Sequence, residues 1–148
     1  MINSVSEQIK ELVTKEEWIE AFPVMKQLRT HLDKDLFIKI VQEAKELHDY
    51  RLIGLYSNNE IIALSGFMPM TTLYNGKFIW VCDLVTESQK QSMGYGRKLL
   101  SYIENWATQH DYGIVSLSSG LLRENAHRFY EDKMSYRKVS YVFLKELK

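Results

Sequence analysis

A single cysteine, Cys82, means that no disulfide can form within this chain. That suits a reducing compartment, and a cytoplasmic location is expected. No charge of either sign is in excess, since Lys plus Arg and Asp plus Glu each number 19. Polyanion binding normally needs a basic face, so nucleic acid is not expected as a partner. No apolar run approaches the roughly 18 residues that a membrane span requires, and Met1–Glu7 has neither a basic nor an apolar region of a leader. No membrane partner or secretion signal is expected. The four histidines and one cysteine fall at no metal-ligand spacing, so no metal is expected. Repeats, low-complexity stretches and linkers rich in Pro, Gly or Ser are also missing. A chain of 148 residues without them reads as a single domain, 1–148.

What is present is ordinary for a globular protein: 45% hydrophobic and 26% charged residues. A short run near Ile9–Thr14 suits an edge strand. From Lys15 to Leu32, Trp18, Ile19, Phe22, Met25 and Leu28 recur at helical steps, and Pro23 should kink or interrupt that helix. Leu36, Phe37, Ile40, Val41, Ala44 and Leu47 share a face of a second helix, with Asp33 or Asp35 near its start. Strand-type runs follow at Tyr50–Tyr56, Ile61–Met70 and Phe78–Val85, separated by the turn Ser57–Glu60 and the hairpin signal Asn75-Gly76. The third run is nearly all apolar, as a central strand covered on both faces would be. A helix over about Gly96–His110, a strand over Gly113–Leu117, a helix over Glu124–Lys133 and a closing strand over Tyr141–Leu144 complete the order β-α-α-β-β-β-α-β-α-β. An antiparallel meander followed by a βαβ crossover predicts an α/β (α+β) fold with one mixed sheet and helices on both faces.

The informative stretch runs from Val81 to Leu100. An apolar strand enters a polar loop, and Gly94 and Gly96 then open a helix. The first amides of a helix lack internal partners, its dipole places positive charge there, and glycine lets a phosphate approach the backbone. Arg97 and Lys98 add charge. A plain strand-loop-helix turn would use the same glycines. A dinucleotide fingerprint fits poorly, because Leu99 stands at the third glycine position and the loop is too long. No Gly-Lys-Ser/Thr of a nucleotide P-loop follows.

Gln91-Ser92-Met93-Gly94-Tyr95-Gly96 resembles the pyrophosphate motif of the GNAT superfamily of N-acetyltransferases, Gln/Arg-x-x-Gly-x-Gly/Ala after a long apolar strand. Arg123-Glu124-Asn125-Ala126-His127-Arg128-Phe129-Tyr130 is similar to the same family's Asn-x-x-Ala-x-x-Phe-Tyr helix, with Ala126, Phe129 and Tyr130 in register. Between Gly96 and Tyr130 there is room for one helix and one strand, as the family requires. The usual Asn position holds Arg123, with Asn125 nearby but out of register, and Met134-Ser135-Tyr136 replaces the glycine-aromatic pair after the tyrosine. Arg followed by Ala-His-x-Phe-Tyr looks similar to members that act on small amines.

The resemblance implies a GNAT-like fold: a twisted, mostly antiparallel sheet with a splayed parallel pair. It implies acetyl-CoA as donor, with its pyrophosphate held by Gln91, Ser92, Met93, Gly94, Tyr95, Gly96 and Arg97, and a contact from Asn125. It implies that the pantetheine arm lies beside Leu84 and Val85, with the Val85 N–H directed at the thioester carbonyl. Tyr130 would protonate the leaving thiolate, since a phenol titrates above a thiol. Asp83, a carboxylate in an apolar strand, could be the base, an anchor for the acceptor ammonium, or the partner of a nearby donor. His127 could line the site or lie behind it, and Cys82 is expected to be a small core residue. The acceptor pocket would draw on the first two helices and the stretch Met68–Tyr74. A small-molecule primary amine is the expected acceptor, and a homodimer is plausible by family analogy. A CoA-binding module without catalysis and a protein-lysine acetyltransferase are the alternatives.

Overall fold

The computed structural model describes residues 6–148, which form two compact units, one up to Ser116 and one from Leu117. In the first, β1 (Glu7–Glu11) leads into α1 (Lys15–Leu28) and α2 (Lys34–His48). A capping box starts α1: the Thr14 hydroxyl accepts from the Glu17 N–H at 3.1 Å, and the Glu17 carboxylate accepts from the Thr14 N–H at 3.0 Å. The helix continues through Pro23 without the expected interruption. Proline removes one N–H, while Ala21, Val24 and Met25 on either side of it are buried and hold the face in place. Asp33 caps α2 by accepting from the Leu36 N–H at 2.8 Å.

The meander is β2 (Arg51–Ser57), β3 (Glu60–Thr72) and β4 (Gly76–Thr86). A short 3-10 turn, Ser88–Lys90, precedes α3 (Tyr95–Gln109), and β5 (Val115–Leu117) follows. The strand order is β1-β2-β3-β4-β5, antiparallel throughout except for the parallel pair β4–β5. Strand alternation sends Leu52, Leu64 and Val85 to one face, where they pack with Trp18, Met25, Phe37 and Val41 of α1 and α2. Phe67, of opposite parity to Leu64, meets Trp106 of α3 edge-on at 5.1 Å. Helices therefore cover both faces, as the sequence pattern predicts. No helix among the described residues is long and apolar enough to cross a membrane.

The second unit carries α4 (Glu124–Arg128), which widens into one π-helical turn over Phe129–Lys133, closed by Met134 N–H donating to the Phe129 carbonyl at 3.2 Å. Residues 137–148 have no regular secondary structure, and Tyr141, Val142, Phe143 and Leu144 are exposed. The closing strand expected at Tyr141–Leu144 is not formed. The alternation there supplies β propensity, but no ladder takes up its backbone, and propensity without pairing does not make a strand.

Candidate active site

The site expected in the first unit is the outer half of β4 and the loop that leaves it. The loop divides into two halves with opposite hydrogen bonding. In the first half the amides are satisfied internally: Ser88 N–H donates to Gln27 of α1 at 2.8 Å, Gln89 N–H to the Glu87 carboxylate at 2.7 Å, and Lys90 N–H to the Glu87 carbonyl at 2.8 Å. In the second half, among the described residues, no N–H from Gln91 to Arg97 has an internal partner. The first helical bond of α3 is Lys98 N–H to the Gly94 carbonyl at 3.1 Å. Ser92 and Gly94 both have positive φ, 65° and 87°, on either side of Met93. Such a change of hand between neighbouring residues turns successive N–H groups into one concavity, a form of backbone that holds anions. Gly94 serves as N-cap with no side-chain bond, and a Cβ there would meet none of the described residues beyond its chain neighbours within 4 Å. The approach to the amides is therefore open. Tyr95 is buried and anchors the first turn, while Gln91, Ser92, Met93 and Arg97 are exposed. This donor set fits a diphosphate: many N–H groups, a helix N-terminus, an exposed guanidinium and no carboxylate in the run from Gln91 to Arg97.

The direction of the β4 amides follows from its register. Ile79 N–H donates to the Ile114 carbonyl at 3.0 Å, so odd-numbered residues face β5 in this part of the strand. Pro69, which has no N–H to offer, stands opposite Ile79. Between Val81 and Asp83 the pairing slips: Phe67 faces Val81 but Gly66 faces Asp83, leaving Cys82 as the extra residue of a bulge. Beyond it, Glu87 N–H donates to the Ile62 carbonyl at 2.8 Å, and the ladder Ala63–Thr86, Leu64–Val85 continues in that register. Antiparallel alternation then commits the Val85 N–H to Leu64 and turns the Leu84 and Thr86 N–H groups to the outer edge. The Val85 N–H, expected to be directed at a thioester carbonyl, faces β3 instead, because the bulge reverses the parity that an unbroken strand would have kept. The bond from Ile79 sets the three-residue β5 beside the first half of β4, short of these two amides.

Both carboxylate oxygens of Asp83 have donors. Arg29, the C-cap of α1, reaches its Oδ1 with Nε and Nη2, each at 3.0 Å, and Tyr50 donates its hydroxyl to Oδ2 at 2.7 Å. Of the three expected roles, the structure supports the third, partner of nearby donors. Burial first, and the Asp83 carboxylate second, push the Tyr50 phenol well above its usual value, so it stays a donor. Cys82 packs against the core of α1 and α2, and its thiol is pushed up to about 12, by burial first and then by Asp83, with Arg29 opposing. A thiol so far from ionising is a poor nucleophile. Sequence reasoning missed Gln27, Arg29, Tyr50, Ser65 and Gly66. A lone carboxylate in an apolar strand signals that donors exist, but nothing in the sequence names them.

Met68–Tyr74 does not form a loop beside this site. Met68 to Thr72 lie within β3, and only Leu73, Tyr74 and Asn75 make the hairpin tip, with Leu73 and Tyr74 exposed. The tip joins β4 at Gly76, and at about 3.3 Å per residue the strand carries Leu84 some ~26 Å away.

In the second unit Tyr130 is buried on the π-helical turn, its ring 5.3 Å from Phe129 and 6.1 Å from Tyr136. Burial raises its phenol above the usual value, and Arg123 opposes the shift. His127 makes a ring-nitrogen hydrogen bond through Nε2 with the Gly120 carbonyl at 2.8 Å, which makes Nε2 the protonated nitrogen. Asn125 accepts from the Arg128 guanidinium through Oδ1, and Arg123 forms the N-cap of α4.

The sequence profile of the acetyltransferase (GNAT) family matches residues 13–136, a span that includes both glycines of the loop and Tyr130. An uncharacterized N-acetyltransferase, YhdJ of Bacillus subtilis (strain 168), is 44% identical over 137 residues, covering 93% of this chain and 96% of that protein. A GNAT family acetyltransferase of Staphylococcus aureus superposes with a TM-score of 0.78 at 21% identity, over 96% of this chain and 99% of the other. Aminoglycoside N-acetyltransferase AAC(6')-Iy, solved in complex with CoA, superposes with a TM-score of 0.86 at 10% identity, over 99% and 97%.

Proposed function

The chain belongs to the GNAT acetyltransferase family and is an acetyl-CoA-dependent N-acetyltransferase, and from that premise we propose that it acetylates a primary amine of a small molecule by direct transfer. Acetyl-CoA supplies the acetyl group as a thioester: a C–N bond to the acceptor forms, the C–S bond breaks, and free CoA leaves as a thiol.

In this reading the amides from Gln91 to Arg97 bind the diphosphate of the donor. The single observation that supports it is that run of unpartnered N–H groups, with its two positive-φ residues. The outward Leu84 N–H stabilises negative charge on the acyl oxygen, and the Thr86 N–H holds the donor's amide arm. Tyr130 gives its proton to the departing sulfur, and burial keeps the phenol in its acid form at neutral pH. Asp83, with both oxygens committed, does not take the amine's proton, which passes to solvent. The unreactive Cys82 thiol favours attack by the amine itself over an acyl-enzyme. A small acceptor is supported by the Arg123-to-Tyr130 pattern and by the fold shared with an aminoglycoside acetyltransferase.

A panel of amines with detection of released thiol tests the reading. Tyr130→Phe should lower kcat by about 100-fold or more while CoA binding by calorimetry survives. Unchanged turnover in that variant would remove Tyr130 from the mechanism, and transfer confined to protein lysines would remove the small acceptor.

A further inference from the structure

The bulge that turns the Leu84 amide outward is held by side chains from three other segments. Arg29 Nη2, besides meeting Asp83, donates to the Cys82 carbonyl at 2.8 Å, which is the backbone group of the extra residue. Ser65, which is completely buried, donates its hydroxyl to the Asp83 carbonyl at 2.6 Å. Tyr50 crosses the sheet at Gly66 to reach the Asp83 carboxylate, and a Cβ on Gly66 would lie 1.7 Å from its hydroxyl oxygen. Gly66 is the residue opposite Asp83 at the slip itself. Each contact therefore falls on Cys82, on Asp83 or on the residue facing it. A bulge leaves backbone groups unpaired and is costly unless they are satisfied elsewhere.

We infer that Arg29, Tyr50, Ser65 and Asp83, with Gly66 making room, are positioning residues that pin the one-residue slip in β4 and thereby aim the Leu84 N–H at the acyl carbonyl. If the slip moved or closed, parity would return to that of an unbroken strand, and the Leu84 amide would turn into the sheet. Asp83 then acts through the backbone and exchanges no proton with the acceptor. This inference rests on the acetyl-transfer reading for its catalytic consequence, while the lock itself is a property of the free protein.

The test uses full-length Tyr50→Phe, Asp83→Asn, Arg29→Ala and Arg29→Lys, each checked for folding by circular dichroism. Kinetics with acetyl-CoA and an active amine should show kcat down by about 10- to 100-fold, the scale of a 1 Å misplacement. CoA affinity should hold, and Arg29→Lys should recover part of what Arg29→Ala loses. The acid limb of the pH profile should keep its midpoint in Asp83→Asn. A flattened acid limb in that variant alone would make Asp83 the base and overturn the inference, as would full kcat in folded Tyr50→Phe and Arg29→Ala. A second readout needs no activity. Ser65 and Leu84 form a non-hydrogen-bonded pair whose Hα atoms lie close, and their NMR cross-peak should weaken in the variants. Should the wild type release no thiol with any amine, the transfer reading fails, and this cross-peak alone decides the lock: its persistence in all variants refutes it.

Discussion

A buried phenol resists ionisation because its anion would lose hydration, and Tyr130 is raised for that reason, with Arg123 pulling the other way. A raised pKa keeps the acid form present to higher pH, so Tyr130 should remain a competent donor beyond the ordinary phenol value of about 10. The expected log kcat profile has no descending limb from this residue between neutrality and that point. A limb near the thiol range that vanishes in Tyr130→Phe would contradict it. Gly94 allows a second residue-level prediction. Its φ of 87° is left-handed, and among the described residues no atom beyond its chain neighbours lies within 4 Å of where a Cβ would stand. Gly94→Ala therefore carries no clash, only the backbone penalty of roughly 1–2 kcal/mol for a side chain in that region. Relief of that strain would rotate the amides of Gln91–Arg97 apart. The variant should fold and lose CoA affinity by about tenfold, a loss of about 1.4 kcal/mol in titration calorimetry.

At the scale of elements, the capping box of α1 is a local device with a local cost. Thr14→Ala removes the acceptor of the Glu17 N–H and should cost about 1 kcal/mol in urea unfolding, with kcat unchanged. Such features are legible from sequence because their causes are local. Asp33 ahead of an apolar stripe marks α2, Asn75-Gly76 marks the β3–β4 turn, and the apolar run Phe78–Val85 marks a strand paired on both sides. The glycine loop is legible for the same reason, since Gly94 does its work through its own φ. The bulge at Cys82 was not legible, because nothing near it in sequence demands an extra residue. It is set by Arg29 and Tyr50, which lie 53 and 33 residues from the groups they bind. The family resemblance alone placed the outward amide on Val85, and the slip turns that of Leu84 outward in its place. Tyr141–Leu144 failed for the complementary reason: local preference was present and a pairing partner was not.

Across the whole molecule, stability should be uneven. The paired strands β2, β3 and β4 enclose fully buried Leu52, Ile53, Leu64, Phe67, Phe78 and Ile79, whereas residues 137–148 make no ladder and expose Tyr141, Phe143 and Leu144. Native-state hydrogen exchange should therefore show the slowest amides in the meander and the fastest in 137–148, with protection at Val142 and Leu144 counting against this description. The contact between Tyr50 and Gly66 reaches furthest, into how this sequence can change over generations. Even the ring carbons of Tyr50 lie at 2.3 and 2.7 Å from where a Cβ at position 66 would stand, so phenylalanine at 50 relieves nothing. Any lineage that gains a side chain at 66 has to shrink position 50 as well, and the two should be found to mutate as a pair.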